Sequence, residues 1–198
     1  MSYEDLIAGL SAGTVRVVEQ LWAAVEAGRL TTTDFHEIAA DVVAVARQQG
    51  ALAAQAALRA YLEANAATAT TVAVAPSYAE RARLAAAIGT ILASDLDTLM
   101  QLTRLATNEP MAAAADAYGW AIERAEGVTG WTRGLDAKAC QLCRWWARDG
   151  RVWRPDHPMP RHPGCLCHQV PVIGETPTNR QSARQAADAL ESRQRRNR

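Results

Sequence analysis

The sequence predicts a mainly α-helical protein that ends in a small α+β module. Two observations predict this class. Apolar residues recur every three or four positions through most of the first 127 residues, which is the period of a helix that buries one face. Between residues 128 and 173 this period is lost, and the segment holds all four cysteines, four of the six tryptophans and three of the four histidines.

Two helices are predicted within residues 3–64. The first ends near Gly28, and its predicted buried stripe consists of Leu6, Leu10, Val17, Leu21 and Val25. The second begins at an N-cap Asp34 with Glu37 at the third helical position, and it continues to about Ala64. Gly50 is a point where this second helix could be interrupted. Its predicted stripe consists of Ile38, Val42, Val45, Leu52 and Leu58.

Two further helices are predicted before residue 128. Ser77-Tyr-Ala-Glu80 is a capping box that opens a helix running through Leu102. Asn108-Glu-Pro110 opens the next one, because proline is tolerated in a first helical turn, and Gly127 ends it. The predicted organisation is N-terminal helices (1–64), a linker (65–76), a helical body (77–127), a cysteine module (128–175) and an Arg-rich polar tail (176–198).

The overall composition and charge limit the classes of protein to which the chain can belong. The 21 basic and 21 acidic residues cancel, so the total charge favours neither a nucleic-acid surface nor a membrane surface. The N-terminal residues are acidic where a secretory signal is basic, and no apolar run reaches the roughly 18 residues of a membrane span. We therefore expect a chain made in a cytosol with no membrane partner.

The cysteines have the spacing of a double knuckle. Cys140-x-x-Cys143 is followed, after eighteen residues, by His162-x-x-Cys165, with a Pro-Gly turn between the last two ligands. Thiolates with imidazole favour Zn²⁺ over oxygen-seeking ions. Cys167 is the alternate to His162, because alternation in a strand would direct Cys165 and Cys167 to the same side. The sequence predicts a zinc-stabilised module, and two disulfides are the alternative.

This predicted ion is structural rather than catalytic. A catalytic zinc keeps an open position for water, whereas here at least four good ligands compete to close the shell. H-E-x-x-H and the deaminase pattern are both absent from the sequence, so no catalytic residue is predicted and the protein is not expected to be an enzyme.

The rest of the module is predicted to be short strands and packing aromatics. "VTGWTRGL" and "GRVWRP" have strand composition, and Asp149-Gly150 is predicted to turn a short helix into the second of them. Trp145, Trp146 and Trp153 are expected to supply packing area around the small site. His168 follows the last cysteine and keeps the ligand set open.

The module resembles the C-terminal part of phage Mu F-like head morphogenesis (minor capsid) proteins over about residues 115–173. Five elements occur in order: Gly130 to Arg133, Cys140 with Cys143, Asp149 to Trp153, His162 to Cys167, and Val170 to Val172. His168 departs from that family's pattern. The resemblance implies a non-enzymatic virion protein in the phage head, with the portal or the major capsid protein as partner. Contact with packaged DNA and a homo-oligomeric state stay open.

Two other functions are weighed against this one. The first is a zinc protein that contacts packaged DNA through weak candidates in the tail, namely Arg193, Arg195, Arg196 and Arg198. The second is a metal-dependent hydrolase, which would need an open coordination position.

Overall fold

The computed structural model describes residues 2–65 and 78–174. Within these residues the protein is mainly helical, with a small two-stranded sheet near the C-terminal end, as the sequence predicts. The elements in chain order are α1 (Tyr3–Glu26), α2 (Thr32–Ala64), α3 (Tyr78–Leu92), α4 (Thr98–Arg124), β1 (Val128–Gly134), α5 (Gln141–Ala147), a 3₁₀ turn (Arg148–Gly150) and β2 (His168–Ile173).

Helix α1 begins and ends at identifiable local devices. Ser2 and Asp5 form a capping box, in which each side chain accepts a hydrogen bond from the backbone N–H of the other residue. The helix ends at Glu26, and Gly28, with φ of +68°, turns the chain away. The buried residues of the helix are Ile7, Ser11, Thr14 and Val18. Leu21 and Val25 of the predicted stripe pack against the core, whereas Leu6 and Val17 are exposed.

Helix α2 starts earlier than predicted. Its N-cap is Thr31, whose hydroxyl accepts from the backbone N–H of Asp34, so Asp34 is the third helical residue rather than the cap. The helix continues to Ala64 without a break at Gly50. Of its predicted stripe, Leu58 is buried, but Ile38, Val45 and Leu52 are exposed.

The predicted helix from Ser77 through Leu102 is in fact two helices. α3 ends at Leu92, and α4 starts at Thr98 after Asp97, whose carboxylate accepts from the backbone N–H of Met100. The predicted start at Asn108-Glu-Pro110 is wrong, because Pro110 lies inside α4. The capping residue Ser77, most of the predicted linker and the polar tail lie outside the described residues.

Three clusters of buried side chains hold these elements together. One joins α1, α2, α3 and α4 around Phe35 and Ile88. A second joins the other halves of α1, α2 and α4 to β1, and it includes Trp131, which is fully buried. The third surrounds Cys143 and Cys167. The C-terminal module is therefore packed on the helical body instead of being tethered to it.

The sheet is one antiparallel pair. In the register of β1 and β2, Trp131 faces Pro171 and Gly134 faces His168. "VTGWTRGL" is a strand as predicted, but "GRVWRP" contributes only an isolated bridge between Trp131 and Trp153. Gly130 explains how closely the two segments approach, since a Cβ there would lie 2.5 Å from the carbonyl oxygen of Trp153.

Candidate metal centre

Helix α5 positions the first two cysteines. Cys140 is the N-cap residue, with extended backbone, and Cys143 lies in the first turn with its side chain buried. A spacing of three residues at a helix start brings both sulfurs to one side, because neighbours on a helical face are three or four positions apart. The Cys-x-x-Cys pattern thus forms half of a knuckle.

A tight turn positions the other half. The backbone N–H of Cys165 donates to the carbonyl of His162 at 3.1 Å. Gly164 adopts φ of +74°, a conformation that other residues rarely take. Its N–H donates to the Asn108 side chain at 3.3 Å, which fixes the turn to α4. The Pro-Gly dipeptide of the sequence therefore has the role predicted for it.

The two halves meet around the imidazole of His162. Its Nε2 lies 3.3 Å from the sulfurs of both Cys140 and Cys143, and Cys143 Sγ lies 3.4 Å from Cys165 Sγ. Two ligands on one tetrahedral zinc ion are about 3.7 Å apart for bonds near 2.3 Å. The donors in each of these three contacts are therefore spaced closely enough to share one ion.

The five donor residues form two overlapping triads. Cys140, Cys143 and His162 lie within 4.8 Å of one another, and so do Cys143, Cys165 and Cys167. Cys143 belongs to both triads, so it lies at the centre of the cluster. All four cysteines are free thiols in the structure. The structure brings together every side chain that the sequence nominated as a ligand, and the cluster could hold a metal ion.

The imidazole of His162 is oriented for coordination through Nε2. Its Nδ1 lies 3.0 Å from the carbonyl oxygen of Pro163 and can donate its proton there. That tautomer leaves the Nε2 lone pair directed at the sulfurs. Trp146 stacks beside the ring with 6.4 Å between centroids, which restricts its rotation.

The local environment shifts the pKa values of the cysteine thiols in different directions. The backbone N–H of Cys143, facing the sulfur at the start of α5, is the main reason that the pKa of the exposed Cys140 thiol falls to about 7. Burial, followed by the neighbouring Cys165 and Cys167 thiols, raises the pKa of Cys143. Burial likewise raises the pKa of Cys167. A divalent ion would offset the cost of holding several thiolates in this space.

Cys167 occupies a different environment from the other donors. The prediction that it lies in a strand with Cys165 is wrong, because β2 begins only at His168. Its sulfur nevertheless reaches the cluster, and its S–H lies 3.8 Å from Oδ2 of Asp136. Cys167 is therefore a fifth donor that also has a carboxylate partner.

His168 is separate from the cluster. Its Nδ1 lies 3.0 Å from Oε1 of Glu4, but the two atoms are not oriented for a hydrogen bond. Its ring contacts the ring of Tyr3 edge-on. Burial is the main reason that the pKa of His168 is lowered, against the opposing charge of Glu4. The predicted nucleic-acid candidates Arg193, Arg195, Arg196 and Arg198 lie outside the described residues.

Sequence reasoning missed two residues that adjoin the donors, Arg133 and Asp136. Arg133 lies in β1 and directs Nη1 towards Cys143 Sγ at 3.9 Å. Asp136 is the partner of Cys167. Arg133 lies in a predicted strand, at a position where a buried side chain is expected. Because arginine is more often exposed, the sequence does not single it out.

A helical body carrying a knuckle of clustered thiols and imidazole defines the chain as a helical protein with a candidate structural metal centre. The sequence model of the VG15 protein family matches residues 2–193, so the chain belongs to the VG15 family, a viral gene protein family. This membership indicates a phage protein. Comparison with the curated proteins gives no match, and comparison with the solved structures gives none either.

Among residues 2–65 and 78–174, none of the helices combines the length and hydropathy needed to cross a bilayer.

Proposed function

We propose that the protein is a non-enzymatic component of head assembly in a tailed phage, a minor capsid protein of the Mu F-like kind, stapled by a structural zinc ion. The observation that carries this proposal is the Cys/His cluster, which joins the start of α5 to the turn at residues 162–167. Membership of the VG15 family supports a phage origin.

Zinc suits the donor set. The cluster offers only sulfur and imidazole nitrogen, the ligands of structural zinc sites, and Nε2 of His162 is already directed at two sulfurs. An ion held by four of these five donors would have no free position for water. The zinc would crosslink the module, and its Lewis acidity would have no role.

The staple would hold a surface in place on the helical body. Arg161, next to the His162 turn, donates to the carbonyl of Ala112 and to the carboxylate of Asp116, both on α4. Gly164 is tied to the same helix through Asn108. The metal would therefore fix the module against α4, and the rigid unit would present one surface to the portal or to the capsid interior.

Metal content tests the structural part of this proposal. We expect elemental analysis of the purified chain to give about one zinc per chain, and its thiols to become reactive only after chelation. Cys143→Ser should lose the metal, because Cys143 belongs to both triads. His157→Gln, a histidine of the same module outside the cluster, should retain it. Absence of both metal and free thiols would show disulfides instead.

Particle composition tests the assembly part. Mass spectrometry of purified particles of the phage that encodes the chain should detect it in the head fraction at low copy number. Heads assembled with Cys143→Ser should contain less of it, whereas heads assembled with His157→Gln should not. Absence of the wild-type chain from mature particles and from head precursors would contradict the proposal.

A further inference from the structure

Arg133 is a buried cation placed beside the sulfur cluster. It is 6% exposed. Its Nη1 donates towards Cys143 Sγ at 3.9 Å, its Nη2 donates to the carbonyl of Pro160, and its guanidinium lies 5.2 Å from the ring centroid of Trp146. Its Nε is buried without a hydrogen-bond partner among the described residues.

This guanidinium has no carboxylate partner in the part of the chain that the structure describes. The ion pairs among the described side chains do not include Arg133, and three acids near the module lie by other groups: Asp116 pairs with Arg161, Asp156 with Arg154, and Asp136 lies by Cys167. A buried charge is stable only when it is paired. The sulfurs of the cluster are the available source of negative charge.

A charge count then distinguishes the ligand sets. Zinc with three thiolates and a neutral imidazole carries one net negative charge, which one guanidinium balances. Zinc with four thiolates carries two negative charges and leaves one unbalanced. The sulfur of the fifth donor, Cys167, lies 3.8 Å from Oδ2 of Asp136 and can donate its proton to that carboxylate, whereas Cys143 Sγ faces the Arg133 guanidinium.

We propose that Arg133 is the counter-charge of the metal–thiolate centre and acts through Cys143. The ligands are then the sulfurs of Cys140, Cys143 and Cys165 with Nε2 of His162, and Cys167 stays outside the ion's shell. This inference rests on the proposed zinc site. Arg133 is a positioning residue, since it touches a ligand and not the ion.

Zinc affinity, measured by competition with a chelator, provides the first test. Arg133→Gln should weaken zinc binding by about 10–100-fold, the range for loss of a group that supports a ligand. Arg151→Gln is the matched control: it removes the same charge from the same module, where Arg151 lies 4.1 Å over Trp153, away from the sulfurs. We expect the control to change affinity by less than about twofold. Equal losses in both variants would overturn the inference.

A double-mutant cycle separates charge from mere packing. Cys140 is exposed, so Cys140→His can exchange one thiolate for a neutral ligand and bring the zinc centre to zero net charge. In that background Arg133→Gln should cost several-fold less affinity than in the native chain, because there is no negative charge left to balance. A purely structural role for Arg133 predicts the same loss in both backgrounds, and that result would overturn the inference.

Ligand counting by X-ray absorption of the native zinc protein should give three sulfurs and one nitrogen. Cys167→Ser should leave this count and the affinity unchanged, and a count of four sulfurs would overturn the assigned ligand set. The two proposals fail differently. A native chain that binds no zinc overturns both, whereas a chain that binds zinc with no dependence on Arg133 overturns only this inference.

Discussion

Glu109 lies in the middle of α4 and joins three helices through its carboxylate. It is 7% exposed, and it accepts hydrogen bonds from Arg47 of α2 at 2.5 Å and from Arg83 of α3 at 2.6 Å. Glu80 binds the same two arginines from the surface side. Glu109 is therefore the buried carboxylate through which α4 joins the arginines of α2 and α3.

We predict that Glu109→Gln lowers the free energy of unfolding by about 2–3 kcal/mol. Loss of one partner from a buried ion pair costs about 3–5 kcal/mol, and solvent access to Arg83 reduces that value. The control, Glu63→Gln, removes an exposed carboxylate paired with Arg59 and should cause no measurable change. Urea unfolding measures the change in unfolding free energy for both variants, provided that the slope of free energy against urea concentration is the same as in the native chain. Equal effects would contradict the role assigned to Glu109.

At the scale of single residues, the clustering of the candidate donors was predictable and their neighbours were not. Cysteine and histidine spacing identifies Cys140, Cys143, His162 and Cys165 because each pair is local in sequence. Arg133 reaches Cys143 through the pairing of strands and the packing of α5 against β1. No local spacing encodes that contact.

The crossing of α2 and α4 is an element built from small residues. A Cβ at Gly50 would lie 2.6 Å from the carbonyl oxygen of Pro110, so glycine is what allows the two helix backbones to approach. Buried alanines of both helices share one cluster, with Ala51 and Ala54 on α2 and Ala114 and Ala117 on α4. Close backbone approach, rather than bulky side chains, therefore forms this part of the core.

We predict opposite effects for two glycines that both lie inside helices. Gly50→Ala should destabilise the protein by about 1–3 kcal/mol, since the backbone of Pro110 must move. Gly9→Ala should stabilise it by about 0.5–1 kcal/mol, because nothing lies within 4 Å of a Cβ there and alanine favours helix. Thermal or urea unfolding measures both. The same sign for the two changes would refute this account of the crossing.

The alanine core also explains why part of the buried face of α2 was mispredicted. Hydrophobicity predicts that the largest apolar residues face the interior, yet Val45 is 53% exposed while its neighbour Ala46 is buried. The exposed residues Val17 and Val45 line an apolar groove between α1 and α2, together with the partly buried Leu10 and Val42. Hydrophobicity alone therefore does not predict which face of a helix is buried when the helices pack through small residues.

The starts of α2 and α4 were mispredicted because their caps were assigned to the wrong residues, whereas the predicted end of α2 at Ala64 is confirmed. The N-caps are Thr31 and Asp97, but the sequence predicts starts at Asp34 and Asn108. Pro110 was expected at a helix start because of its missing N–H. It is accommodated within α4, where it packs against Gly50 of the neighbouring helix.

The whole molecule has separate cores for the helices and for the cysteine cluster. The two larger clusters unite the helical body and β1, and the third consists of Ala139, Cys143 and Cys167 with partly buried Trp146 and Cys165. Trp153, Met159 and Leu166 pack against one of the larger clusters, but the residues around Cys143 have only the small third core, which is not expected to hold them without a crosslink. The stability of the cysteine-bearing parts of residues 135–167 should then depend on the proposed zinc ion.

We predict that chelation loosens this segment while the four long helices persist. Far-ultraviolet circular dichroism should change little, and amide hydrogen exchange should accelerate mainly between residues 135 and 167. Adding chelator to Cys143→Ser should have no further effect, which makes that variant the control. Cooperative loss of helical signal on chelation would show instead that the ion holds the entire fold.

The fold class and the existence of the module were predictable at this scale, because composition changes at residue 128. The docking of the module was not. Tyr61 of α2 donates to the carbonyl of Pro171, and Tyr3 of α1 contacts His168. These contacts join residues far apart in the chain, and periodicity carries no information about them.

The contact of Glu4 and Tyr3 with His168 also orders events during synthesis. Among the described elements α1 is translated first, and its partner strand β2 is translated last. Local helices form early, whereas distant pairings form only after both segments have been made. We therefore expect the start of α1 to lack this contact until β2 leaves the ribosome.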